Sequence, residues 1–98
     1  MRLRYTSPAL ADLAAILDYR AAHSLQDAFR VHARIDLVAN LLLSYPRLGL
    51  RTEDPTIRRI NTSPYPFLIF YEIAGDDIII HAVRHGARDP SGMPGANR

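Results

Sequence analysis

Tyr65-Pro66-Phe67-Leu68-Ile69-Phe70-Tyr71-Glu72-Ile73-Ala74-Gly75-Asp76-Asp77-Ile78-Ile79-Ile80-His81-Ala82-Val83-Arg84 is the stretch whose reading decides the fold. Residues 65–74 are rich in aromatic and β-branched side chains, which favour a pleated strand. Gly75-Asp76-Asp77 supplies turn residues, and an aliphatic run follows it. Two strands joined so tightly pair antiparallel. Alternation puts Phe67, Ile69, Tyr71 and Ile73 on one face and Leu68, Phe70 and Glu72 on the other. The unbroken apolar run over residues 67–71 predicts a central strand.

Upstream, Thr56–Thr62 reads as another strand and residues 46–55, with Pro46, Gly49 and Pro55, as a connecting loop. Before that loop the period changes from two to 3.6. Ala28, Val31, Ile35, Val38 and Leu42 form one helical stripe that ends near Ser44, and Pro46 stops continuation. Ser24 followed by Asp27 has the spacing of a capping box. Leu10, Leu13, Ala14, Leu17 and Ala21 form the stripe of an earlier helix, with Ser7 as its expected cap and Pro8 in the first turn. Residues 2–6 read as a short first strand.

The predicted order is β-α-α-β-β-β. This is an α+β fold in which an N-terminal helical hairpin packs on one face of a twisted antiparallel sheet. Residues 1–90 are expected to form one domain and residues 91–98 a flexible tail. If helices cover one face only, the other keeps an apolar patch for a partner.

Composition narrows the function classes. The 98 residues carry twelve basic and ten acidic side chains, and every basic one is Arg. The halves are balanced: residues 1–46 hold five Arg and four Asp, and residues 47–98 hold seven Arg and six acids. An electropositive site must therefore come from local clustering. The absence of Cys excludes disulfides, thiolate catalysis and Cys-based zinc sites. No apolar run reaches the roughly 18 residues that span a bilayer, and the N-terminal segment is a poor secretory signal. A cytoplasmic protein without membrane contact is expected.

Three groups can carry chemistry. Arg58-Arg59 opens the third-from-last β segment, where adjacent side chains face opposite ways. Val83-Arg84-His85-Gly86-Ala87-Arg88-Asp89 gathers two arginines and a histidine at a strand end, able to grip phosphate or carboxylate and to exchange a proton. His81 shares a predicted face with Ile79, Val83 and His85. A histidine between aliphatics is read as a packed, hydrogen-bonded residue, and two His without a third ligand give no metal site. No cofactor or metal is expected. Phe67 and Phe70 are read as core.

In order and spacing, Tyr5-Thr6-Ser7-Pro8-Ala9-Leu10-Ala11-Asp12-Leu13, Tyr45-Pro46-Arg47-Leu48-Gly49, Ile57-Arg58-Arg59-Ile60, Tyr65–Tyr71 and Val83–Asp89 resemble the ParE branch of the ParE/RelE toxin superfamily of type II toxin–antitoxin systems. The resemblance covers the chain to about Pro90. It implies a growth-arresting, plasmid-stabilising toxin that binds DNA gyrase and is neutralised by a ParD-like antitoxin wrapped around it. Arg58, Arg84, His85 and Arg88 are the expected target contacts. The superfamily's RelE-like members instead cut messenger RNA on the ribosome. Such chemistry would fall here to Arg58, Arg59, His85 and Arg88, with direct nucleic-acid binding only in that case. The mid-strand basic position falls at Phe67 or Leu68, and no Tyr follows Tyr71, so the set is incomplete and no catalytic residue is expected. A third possibility is a non-toxic module that only binds its antitoxin.

Overall fold

Thr6, rather than Ser7, caps the first helix: its Oγ1 accepts from the Ala9 amide at 3.2 Å. Either hydroxyl fits the cap pattern, and the outer one wins because Ser7 has already entered the helix. The structure, a computed structural model, describes residues 1–86. Its elements are β1 (Arg2–Tyr5), α1 (Ser7–His23), α2 (Leu25–Ser44), β2 (Leu50–Arg51), β3 (Arg58–Thr62), β4 (Tyr65–Ala74) and β5 (Asp77–His85). The expected tail, and Arg88 with it, lie outside the described residues.

Ser24 alone separates the helices. It ends α1 through its amide to the Arg20 carbonyl at 2.8 Å and starts α2 through its Oγ to the Asp27 amide at 3.2 Å. Only the Ser half of the expected capping box forms. The Asp27 carboxylate turns instead to Arg20, 3.0 Å away, and ties the two helices together. The α2 stripe is as read, with Ala39 added to it. The α1 stripe is shifted: Ala9 is buried, Leu13, Ile16 and Leu17 pack on the core, and Leu10 is 53% exposed.

The fold class is the one the sequence implied, with two differences in the sheet. Its order is β1-β5-β4-β3-β2, so five strands form it, the extra one being the two-residue β2 inside the expected loop. The sheet is also mixed, because β1 runs parallel to β5 while the other pairs are antiparallel. β1 and β5 meet although most of the described sequence lies between them, a non-local pairing that no local pattern encodes. Gly75, at φ +59°, makes the β4–β5 turn.

Alternation along β4 holds: Phe67, Ile69 and Tyr71 join α2 residues in the main core, and Phe70 faces away. The expected open apolar patch on that far face is closed. Ile57 packs on Phe70 and Ala82, with Leu68 against them, and Phe70 is only 2% exposed. In β5 a bulge changes the phase. Phe70 opposes Ala82 and Tyr71 opposes Ile80, leaving His81 as the extra residue. His81 and Val83, expected on one face, are therefore on opposite faces.

Candidate functional site

The edge of β5 is open beyond Tyr5, where β1 stops pairing. Two side chains from the start of α1 close it. Thr6 Oγ1 donates to the His81 carbonyl at 3.3 Å, and the Val83 amide donates to Asp12 Oδ2 at 3.1 Å. The same carboxylate oxygen accepts from Arg84 Nε at 3.2 Å, which draws that guanidinium round the strand edge toward α1. A buried amide and a guanidinium thus share one acceptor.

Beyond this clasp, α1 and the β4–β5 end diverge and leave a cleft of about 700 Å³. Phe67 and Val83 floor it, Ile16 and Tyr19 line its helix side, and Arg20, Arg84 and His85 supply its polar groups. Arg20 lies over the Phe67 ring at 5.4 Å, and His85 meets the same ring edge-on at 5.7 Å. A cation on the ring face and an imidazole perpendicular to the ring suit an aromatic platform. Both guanidiniums already rest on carboxylates, Arg84 on Asp12 and Arg20 on Asp27. The cleft therefore offers an apolar floor with polar clamps rather than a bare cationic well.

The basic candidates are divided. Arg84 and His85 come together at the cleft. Arg58 does not join them: its Nη1 donates to the carbonyls of Gly49 at 2.9 Å and Arg47 at 3.4 Å. It pairs with Tyr71 across the sheet, whereas His85 pairs with Phe67. That offset, with β4 between them, separates the backbones by about 16 Å. Arg59 opposes Phe70 and so points to the face away from the helices. His81 Nε2 contacts Glu72 Oε1 at 2.8 Å, its side chain about a third exposed rather than packed in the core. Among the described residues no group of three or more His, Cys, Asp or Glu side chains is placed to hold a metal. Asp12, Arg20 and Phe67 join the site without a sequence motif that marks them. The signal available was Asp12 off its helical stripe beside a capped start.

A second constellation explains the Tyr45–Gly49 motif. Tyr71 is fully buried, and its hydroxyl donates to the Pro46 carbonyl at 2.7 Å while accepting from the Gly49 amide at 2.9 Å. A Cβ on Gly49 would lie 2.7 Å from the Tyr71 ring and 2.8 Å from the Arg59 carbonyl, so only glycine fits. Burial pushes the Tyr71 hydroxyl above its ordinary pKa, opposed by the Gly49 amide and the Arg58 charge.

Comparison with known proteins decides the family. The model of the ParE toxin of type II toxin–antitoxin systems, parDE, matches residues 3–90. The chain belongs to the ParE toxin family. Toxin RelE2 of Caulobacter vibrioides is 38% identical to this toxin over 84 residues, 86% of this chain and 93% of that protein. A chain of the chromosomal ParDE system from P. aeruginosa superposes with a TM-score of 0.75 at 24% identity, covering 87% of this toxin and 95% of that chain. This last likeness bears on the fold alone. The protein is thus a toxin of the ParE/RelE superfamily, and membership implies an antitoxin partner. No helix among the described residues is long and apolar enough to cross a membrane.

Proposed function

We propose that this toxin arrests growth by binding DNA gyrase in the cytoplasm, without catalysing a reaction, and that a ParD-like antitoxin neutralises it. Arg84 and His85 at the cleft, together with Arg88, contact the target. Arg58 serves from behind by holding the 47–49 backbone. The antitoxin competes by laying an amphipathic segment into the cleft, an apolar side chain on Phe67 and Val83 and polar groups toward Arg20 and Arg84.

The observation that carries this reading is the separation of Arg58 and Arg59 from Arg84 and His85. Cleavage through a 2′-hydroxyl needs a base, an acid and cations around one phosphate. Here Arg84 is engaged by Asp12, Arg58 by two carbonyls, and Arg59 faces the other side of the sheet. Protein binding needs no such convergence.

A RelE-like ribosome-dependent messenger RNA endoribonuclease is the second reading. Its support is the adjacency of Arg84 and His85 and the name of the Caulobacter relative. Induction in cells separates the two. The proposal expects gyrase-linked broken DNA to accumulate and translated messages to stay intact by primer extension. New message cuts that vanish on Arg84→Ala with His85→Ala would overturn it.

A further inference from the structure

We propose that the β2–β3 edge of the sheet, with the loop leading into it, is a second contact with the toxin's protein target, and that it seats a target segment carrying acidic and aliphatic side chains. The inference rests on the reading of a protein-binding toxin given above.

The loop and strand read Tyr45-Pro46-Arg47-Leu48-Gly49-Leu50-Arg51. Tyr45, Leu48 and Leu50 are 61%, 51% and 65% exposed. Large apolar side chains held in water are a hallmark of an interaction surface when they cluster. Their backbone is fixed from beneath. The Tyr71 hydroxyl bonds Pro46 and Gly49, Arg58 Nη1 bonds Arg47 and Gly49, and the Leu48 amide donates to the Tyr45 carbonyl at 3.1 Å. Anchors presented on a fixed backbone lose little freedom on binding, which favours affinity.

Charge names the occupant. Residues 47–59 carry four arginines against Glu53 and Asp54, a net +2. Arg51 directly opposes Arg58 across the β2–β3 pair, and like charges so placed repel. An anionic partner relieves that repulsion. Arginine alone would serve a phosphate backbone, but the interleaved Leu48, Leu50 and Tyr45 gain only from apolar side chains, which a protein segment supplies. β2 is also the terminal strand of the sheet, with one side unpaired among the described residues. The cleft lies at β5, three strand spacings or about 15 Å away, so an antitoxin segment in the cleft leaves this edge uncovered.

The test uses the whole toxin and two double variants, Leu48→Ser with Leu50→Ser and Arg47→Ala with Arg51→Ala. Three quantities are read: inhibition of purified gyrase, growth arrest on induction, and affinity for the ParD-like antitoxin. Each double variant is expected to need about tenfold more toxin for equal inhibition, to lose growth arrest, and to bind antitoxin within about twofold of wild type. Leu variants as potent as wild type would overturn the inference. Weakening by the Arg pair alone would also overturn it, as the mark of phosphate rather than protein. If wild-type toxin leaves gyrase untouched, gyrase is the wrong target, and growth arrest by the same variants still judges the edge.

Discussion

Replacing Tyr71 by Phe removes one oxygen and leaves the ring, so it isolates the clasp between the sheet and the α2–β2 loop. That oxygen makes two hydrogen bonds, to Pro46 at 2.7 Å and from Gly49 at 2.9 Å. A typical buried hydrogen bond contributes about 0.5–1.5 kcal/mol net, and a buried amide left without a partner costs about 1–3 kcal/mol. Gly49 is buried and sits too close to Tyr71 for water to enter without displacement. The expected loss is therefore about 2–4 kcal/mol. For a domain of this size that lowers Tm by about 10–20 °C. Urea denaturation at neutral pH, with the slope unchanged, reads the difference directly. Gly49→Ala presses a methyl group on the same ring and should destabilise by a comparable amount. The two changes share a contact, so their effects should not add. A Tyr71→Phe variant within about 0.5 kcal/mol of wild type would refute the claim that this hydroxyl pins the loop.

Ile35→Ala, at a position 1% exposed, should cost about 2–5 kcal/mol by urea denaturation; Leu17→Ala should cost less, because Leu17 is only partly buried. The raised Tyr71 pKa makes its neutral form part of the fold, so that contribution is intact below about pH 10 and is lost as pH rises through the folded pKa. Alkaline unfolding should accordingly begin at lower pH for wild type than for Tyr71→Phe when both are normalised to their neutral stability. Arg4 and Arg2 hold the Asp77 carboxyl below the usual carboxylate range, so its contribution is present above about pH 4 and disappears as pH falls through the lowered value; a carboxyl NMR titration of Asp77 checks the direction. Asp12→Asn keeps an acceptor for the Val83 amide but not the charge on Arg84, and should alter antitoxin affinity more than stability, as calorimetry and thermal melts would separate.

Much of the fold was legible because its signals are local. The α2 stripe from Ala28 to Leu42 and the β4–β5 hairpin each follow one period without interruption. The α1 phase was harder, because Ala and Leu recur at nearly every position there; burial chose Ala9 and Ile16 over Leu10 and Ala14. β2 was invisible, since two residues show no period. The bulge at His81 carries no marker in an aliphatic run, yet it decides which histidine shares the Phe67 face.

The site was legible as a list of basic residues and not as a place. Arg84 and His85 stand out because they end a strong strand. What Arg58 touches depends on where the 47–49 carbonyls fold back, and that depends on Tyr71 and Gly49 together. Arg20 and Phe67 are far apart in sequence and meet only because the helical hairpin lies over β4. Strand alternation points to the helix-free sheet face as the place for a hollow. Ile57 closes that face, and the hollow lies instead between α1 and the end of β5.

Supercoiling by purified gyrase, titrated with this toxin and then with equimolar ParD-like antitoxin, is the decisive test of a gyrase-binding toxin. Supercoiling is expected to fall as toxin rises, cleaved gyrase–DNA complexes to accumulate, and antitoxin to restore full activity. Unimpaired supercoiling at high toxin excess, in a preparation whose induction arrests growth in cells, would contradict it.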